Sequence, residues 1–97
     1  MMAIAVYFHP KNMTLQQFDE INRRLEQSGL VGPPEGGIHL SCFGSDGDLM
    51  VYNVWASQEA FEAFGKTLMP IIKDLGIEVE PAVMPLHRLN QREANLP

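Results

Sequence analysis

The feature that most constrains the fold is a strand that runs directly into a helix, within residues 53–64. An apolar run over residues 49–55 is followed at once by Ser57, which suits a helix N-cap, and then by apolar residues at helical spacing. An earlier apolar run, residues 3–8, leads in the same way to a helix that begins near Thr14. The chain therefore predicts two successive β-α-β units.

Local signals also indicate where the first helix ends and where a hairpin follows. Thr14 and Gln17 have the spacing of a capping box, and Gly29 is a natural stop because glycine tolerates the left-handed conformation after a helix. A second strand is predicted over residues 38–43, and the turn residues 44–47 lead back into the strand at 49–55.

Two prolines modify the second half of the chain. Pro70 lies inside the second helix, where it removes a backbone donor, so a kink or a restart near Thr67 is expected. The last strand, residues 82–89, contains Pro85, which indicates an edge position or a bulge. The polar tail, residues 90–97, is expected to be loosely held.

The order of elements predicts one α+β domain over residues 1–97, with its core in residues 3–89. Right-handed crossovers and unknotted connections favour the ferredoxin-like βαββαβ arrangement. Its sheet has four antiparallel strands in the order 4-1-3-2, and both helices lie on one face. The other face of such a sheet is left without a helix.

Charge and cysteine content exclude several classes of function. The net charge of −5 opposes binding to nucleic acid or to an anionic membrane surface, and neither partner is expected. Cys42 is the single cysteine, reads as a small buried hydrophobe, and allows no disulfide framework. No run approaches the roughly 18 apolar residues of a membrane span, and no basic leader precedes the first strand. A cytoplasmic location is expected.

The strands are apolar on both faces, which predicts a homodimer. In the first strand, Ile4, Val6 and Phe8 alternate with Tyr7 and with alanines, so neither face is polar. A second sheet packed face to face on the first would bury the face that the helices leave bare. The alternative is a monomer that tolerates an apolar surface.

The candidate site is expected at one end of the sheet. Because the first and third strands both lead into helices, we expect His9, Asn53, Trp55 and both helix N-termini to gather there. Pairing of the second strand with the third would bring His39 to the same end. Helix N-termini present free N–H groups, which suit a carboxylate, phenolate or enolate.

Each candidate has a chemical role and a packing alternative. Asn53 could stabilise an oxyanion, or be a hydrogen-bonded buried amide; His9 could act as a general base, or cap a turn. Trp55 could stack on a planar ligand, or pack under the second helix. Tyr7, His39 and Phe61 complete the predicted substrate contacts, although Tyr7 and His39 also suit an interface.

No metal site and no cofactor are predicted. The three histidines should not converge within one subunit, because His87 is expected near the far end of the last strand. Only assembly of a dimer could bring all three together.

The strand ending at residues 52–55, followed by residues 57–64, resembles the antibiotic-biosynthesis-monooxygenase-like group of dimeric α/β barrels. Residues 7–14 are similar to small uncharacterised members of that superfamily. The resemblance implies a homodimer with a small-molecule cavity between sheet and helices. It also implies activities such as cofactor-free oxygenation of phenols, haem degradation or lactone isomerisation, or none. Asn53 and Trp55 resemble an Asn and a Trp that matter in quinone-forming members, whereas the helices lack the histidine of haem-degrading members.

Two functions therefore remain open. The first is a small-molecule-binding protein that oxygenates or isomerises an aromatic or enolisable substrate. The second is a non-catalytic binding or interaction module, whose cavity would be filled by side chains. An RNA-recognition motif is disfavoured because the third strand has no basic residue. An acylphosphatase is disfavoured because the loop after the first strand has Lys11 as its only cation, where that family has an arginine that binds phosphate.

Overall fold

The computed structural model describes residues 2–30 and 32–90, so most of the predicted polar tail lies outside the described residues. The elements in chain order are β1 (Ile4–Phe8), α1 (Leu15–Gln27), β2 (Gly37–Ser45), β3 (Asp48–Trp55), α2 (Gln58–Asp74) and β4 (Ala82–Pro85). The strands form one antiparallel sheet in the order β2-β3-β1-β4. This is the predicted ferredoxin-like topology.

Side-chain caps explain where both helices begin. The Thr14 hydroxyl accepts a hydrogen bond from Gln17 N at 3.1 Å, and the Gln17 side chain accepts one from Thr14 N at 3.0 Å, which completes the predicted capping box. Ser57 caps α2 by accepting from Ala60 N at 3.2 Å. Gly29 follows α1 with a φ of 100°, the conformation that glycine adopts without strain.

The two prolines differ in effect. α2 runs as a single helix through Pro70, so the restart near Thr67 does not occur. Pro70 is exposed, and water can therefore satisfy the carbonyl that loses its donor. β4 lies at the edge of the sheet, as Pro85 predicted, but it ends at that residue and not at residue 89. Beyond it, Leu86 N still donates to Ala3 O at 3.0 Å.

The strand register assigns every side chain to one of two faces. We call the face that packs on the helices the inner face, and the opposite one the outer face. Val6 on β1 pairs with Asn53 on β3 on the inner face, whereas Tyr7 pairs with Tyr52 on the outer face. The core lies between the inner face and the helices, and its largest fully buried side chain is Trp55.

Charged groups join the two helices on their solvent side. Arg24 on α1 binds Glu20 of the same helix at 2.8 Å and also Asp74 near the end of α2. Hydrogen bonds from Arg23 and then Arg24 lower the pKa of Glu20 to about 2. In the described part of the chain, no helix is long and apolar enough to span a membrane.

Candidate functional site

A cavity of about 260 Å³ lies between the inner face of the sheet and the two helices. Its walls are almost entirely apolar, and both helices, three strands and the loops at one end contribute to them. The side chains from the strands and the loops are Phe8, Pro10, Met13, Leu40, Ser41, Cys42, Val51, Asn53, Ile77 and Val79. Those from the helices are Phe18, Ile21, Asn22, Leu25, Phe64, Leu68 and Ile72.

Asn53 is the one buried polar side chain in the described core. It lies in the middle of β3, between Val6 on β1 and Leu40 on β2, and only 2% of it is exposed. Its Oδ1 atom has no hydrogen-bond partner among the described residues. A buried polar atom without a partner destabilises a fold by about 1–3 kcal/mol. Asn53 therefore combines a place in the cavity wall with an amide oxygen that is buried and has no partner among the described residues.

The predicted gathering of His9 and Trp55 at one end of the sheet is wrong. β1 and β3 are antiparallel, with Ile4 opposite Trp55 and Phe8 opposite Val51. The two strand ends that lead into the helices therefore lie at opposite ends of the sheet along the strand direction. Four residues of strand separate them by about 13 Å. The hairpin after β2 reverses β3 relative to β1, and this reversal is the physical reason.

His9 lies beside the start of β3. Its Nε2 atom is 2.9 Å from Oδ1 of Asp48, and about half of its side chain is exposed. Its ring is 6.3 Å from that of Tyr7, on the outer side of the sheet. His9 does not line the cavity, so the base role predicted for it has no geometric support there.

His39 lies at the Trp55 end of the sheet, as predicted, because it pairs with Val54. Its side chain is on the outer face, with its ring 5.9 Å from that of Tyr52. Tyr7 shares this face, since it also pairs with Tyr52. Neither Tyr7 nor His39 contributes to the cavity wall.

Trp55 and Phe61 belong to the packed core beside the cavity. The Trp55 ring is 5.9 Å from that of Phe61 and 5.1 Å from that of Phe64. Phe64 lines the cavity, whereas Trp55 and Phe61 do not. The Trp55 indole nitrogen is buried without a partner in the described structure. Substrate contacts by Trp55 and Phe61 stay predictions. Asn53 shares the inner face of β3 with Trp55, but of these three residues only Asn53 lines the cavity.

Cys42 lines the cavity, whereas the sequence indicated only a small buried hydrophobe. It lies on β2 opposite Val51, half-buried, and lines the cavity. Burial raises the pKa of its thiol, which keeps the sulfur protonated at neutral pH. The helix residues of the wall have the same apolar spacing as ordinary core residues, so no sequence signal distinguishes them.

No group of three or more metal-ligating side chains occurs among residues 2–30 and 32–90. His9 lies beyond the end of β1, whereas His87 follows β4 near the start of β1. His87 is thus at the end of the sheet opposite to His9, as predicted, but at the same end as Trp55 and His39, which was not predicted. The three histidines still do not converge.

Comparison with solved structures identifies the fold, whereas the comparisons with family models and curated proteins find no match. No family model matches the sequence, and no curated protein matches it significantly. SnoaB, a cofactor-independent oxygenase from Streptomyces nogalater, is 13% identical with a TM-score of 0.64, over 96% of this chain and 100% of SnoaB.

Two further structures are similar. A Deinococcus radiodurans protein provisionally named an antibiotic biosynthesis monooxygenase has a TM-score of 0.59 at 9% identity, over 96% of this chain and 100% of its own. A conserved Methanosarcina mazei protein has a TM-score of 0.59 at 19% identity, over 87% of this chain and 92% of its own. The chain therefore has the ferredoxin-like α+β fold of the antibiotic biosynthesis monooxygenase-like structures.

Proposed function

We propose that this protein binds a small, neutral, mainly apolar molecule in the cavity, and that Asn53 makes its one polar contact. The observation that carries the proposal is that Asn53, whose Oδ1 atom is buried without a partner in the described structure, lies in a wall that is almost entirely apolar. A hydroxyl or N–H group on the ligand would satisfy that atom. A charged ligand is disfavoured because Cys42 is the only titratable side chain among the described lining residues.

The cavity volume limits the size of the ligand. An apolar cavity of about 150 Å³ accepts benzene, whereas drug-sized ligands occupy pockets of about 300–1,000 Å³. At about 260 Å³, this cavity suits a molecule of one ring or two fused rings. A bicyclic phenol meets both the size and the donor requirement.

The proposal assigns different contacts to the apolar part of the ligand and to its donor group. Two probes that differ only in the donor group therefore test it. 1-Naphthol and naphthalene have the same ring system, and only 1-naphthol carries a hydroxyl. We expect the protein to bind 1-naphthol roughly tenfold more tightly, as a hydrogen bond of about 1–1.5 kcal/mol requires. Fluorescence titration measures both affinities.

Asn53→Leu removes the amide and keeps the side chain at a similar size. It should bind both probes with equal affinity, because only the hydroxyl contact is lost. Gln16→Leu makes the same amide-to-leucine change on an exposed position of α1 and should keep the preference. If Asn53→Leu also keeps the preference for 1-naphthol, Asn53 does not contact the hydroxyl and the proposal fails.

Cofactor-free oxygenation is a finer proposal, supported by the fold shared with SnoaB, itself a cofactor-independent oxygenase. A bound phenol would lose its proton, its ring carbon would bond to O₂, and the hydroperoxide would lose water to leave a quinone. The Asn53 amide could donate to the phenolate oxygen. No base lines the cavity within the described chain, so a water molecule would have to take the proton.

An oxygen electrode separates catalysis from binding. Oxygen uptake with 1-naphthol that Asn53→Leu abolishes, and Gln16→Leu keeps, would support the oxygenase. Tight binding without oxygen uptake from this phenol would favour the non-catalytic binding protein.

We also propose that a second copy of the chain covers the outer face. Phe43 and Met84 are 46% and 45% exposed, and Met50, Tyr7 and Tyr52 beside them are half-buried. Tyr52→Glu should shift sedimentation from dimer to monomer, since a charge cannot be buried between two apolar sheets. Lys66→Glu, on the exposed surface of α2, is the matched control. A wild-type monomer at micromolar concentration would refute this assembly.

A further inference from the structure

The cavity is incompletely covered along the edge strand β2. Leu40 lies on the inner face, opposite Asn53, and yet 41% of it is exposed while Asn53 is 2% exposed. Two residues that pair on one face differ so strongly only if the helices cover β3 and leave β2 uncovered. A slot therefore runs between α1 and β2.

A groove on the surface adjoins the cavity at this slot. The groove has a volume of about 400 Å³ and is bounded by α1, β2 and the loop that joins them. Four side chains line the cavity and the groove at once: Asn22, Leu25, Leu40 and Phe64. They form the boundary between the two spaces, and we call them the rim.

A second depression adjoins the cavity at its other end, where Ile72, Ile77 and Val79 line both spaces. It also contains five titratable side chains: His9, Lys11, Lys73, Glu78 and Glu80. The groove at the slot contains only one, Glu26. An apolar molecule would have to displace water from charged groups at the second depression, which opposes entry there.

Leu40 is the least constrained residue of the rim. Phe64 is 8% exposed and packs on Trp55, and the Asn22 side chain donates to Phe18 O at 3.1 Å. Leu40 turns back toward Gly37, where its Cδ1 atom is 3.1 Å from the position that a Cβ would take. The missing side chain of Gly37 thus provides space for the Leu40 side chain.

We infer that ligands enter the cavity between α1 and the edge strand β2, and that Leu40 sets the size of the molecule that passes. This inference rests on the proposed function, since it concerns access to the same cavity. Rotation of the Leu40 side chain changes the width of the slot, because Phe64 and Leu25 pack against the core and Asn22 is held by its hydrogen bond. Leu40 is therefore a residue that determines specificity by size.

Cys42 provides a test of access that needs no ligand. It is the only cysteine in the sequence and lies two residues beyond Leu40, in the cavity wall. Leu40→Trp should slow its labelling by N-ethylmaleimide about tenfold, within the range that single substitutions cause in association rates. Leu40→Ala should accelerate labelling, and more so for the bulkier N-(1-naphthyl)maleimide. Val79→Trp narrows the other end and should leave the rate unchanged.

Binding kinetics distinguish a gate from a wall contact. In stopped-flow experiments with 1-naphthol, Leu40→Trp should lower the association and dissociation rates by similar factors. A change in the dissociation rate alone would make Leu40 a wall contact and overturn the inference. Slower labelling in Val79→Trp, with no effect of Leu40→Trp, would place the entrance at the other end and overturn it as well.

The two proposals can fail separately. If 1-naphthol does not bind, the proposed function fails, while the labelling rates of Cys42 still decide where the cavity opens. If 1-naphthol binds and the rim variants leave all rates unchanged, the binding proposal stands and the entry route falls.

Discussion

The two faces of the sheet have similar composition, but the polar side chains on one face are partly open to water and the one on the other is buried. On the outer face of a single chain, Tyr7, Tyr52 and His39 are half-buried and remain partly open to water. On the inner face, Asn53 is buried under the helices beside an apolar cavity and its oxygen has no partner in the described structure. An exposed hydroxyl is satisfied by solvent, whereas a buried amide oxygen is not. This difference is the reason why the proposed ligand site lies on the inner face.

The largest expected effect tests whether the inner face holds the fold together. Trp55→Ala should lower the free energy of unfolding by about 3–5 kcal/mol, because Trp55 is fully buried against Phe61 and Phe64. Tyr52→Ala, on the same strand but on the outer face, should lower it much less. Urea denaturation of both variants measures the contrast, and equal losses would contradict it.

A second prediction concerns the protein without ligand and has the opposite sign. Asn53→Leu should raise the free energy of unfolding by about 1–3 kcal/mol, because the unpartnered oxygen is removed and the cavity has room for a methyl group. At roughly 4–8 °C per kcal/mol, the melting temperature should rise measurably. Calorimetry checks the shift.

Ser41→Ala is the control for that stabilisation. The Ser41 hydroxyl on β2 is partly buried and donates to Tyr52 O at 3.3 Å, so its loss should lower stability slightly. If Asn53→Leu lowers stability as well, the amide contributes to the fold, and the case for a ligand at this position is lost. The sign of one measurement thus separates a structural amide from a functional one.

The sequence predicted the fold because its signals are local. The cap at Thr14, the stop at Gly29 and the apolar run of β1 each depend on a few neighbouring residues, and the structure contains all three. The position of His9 relative to Trp55 depends on strand direction over the whole chain. The hairpin after β2 reverses β3 relative to β1 and so places these residues at opposite ends.

The cavity could not have been predicted in the same way. Phe18 and Ile21 in its wall have the spacing of any helix residues that face a core. A void is the volume that side chains leave unfilled, and it depends on how the helices sit on the sheet. Only Asn53 was recognisable, because an amide is uncommon in a central apolar strand.

A third prediction concerns the pKa of the Cys42 thiol on the inner face, which should be higher in the folded protein than in the unfolded chain. Burial raises the thiol pKa in the folded state, so the pH midpoint for alkylation by iodoacetamide should lie above that of the urea-unfolded protein. Correspondingly, the stability that this thiol contributes is complete below its unfolded pKa and is lost as the pH rises through its folded value. Rate measurements across the alkaline range check the midpoint. A folded midpoint at or below the unfolded one would show that Cys42 does not face an apolar wall.

The smallest expected effect is on the solvent side of the helices, where side chains are joined by ion pairs and not by apolar contacts. Hydrogen bonds from Arg23 and Arg24 lower the pKa of Glu20 from 4.5 to about 2. The stability that Glu20 contributes is therefore present above pH 4.5 and is lost as the pH falls toward 2. The difference in urea midpoint between the wild type and Glu20→Gln should be small, because the pair is exposed to solvent, and should vanish over that interval.

Glu62→Gln is the matched control for this pH dependence, since the Glu62 carboxylate accepts from Gln58 at 3.3 Å and has no arginine partner among the described contacts. The difference in urea midpoint between Glu62→Gln and the wild type should stay near zero between pH 6 and pH 2, a range that includes the lowered pKa of Glu20. If both variants lose stability equally, the effect comes from the overall charge and not from the Arg24 link between α1 and α2. If only Glu20→Gln responds, the helix layer is held on its solvent side by charge pairs that acid removes. The cavity wall beneath it does not titrate in that range, because Cys42 is its one titratable group among the described lining residues and burial raises the pKa of that thiol.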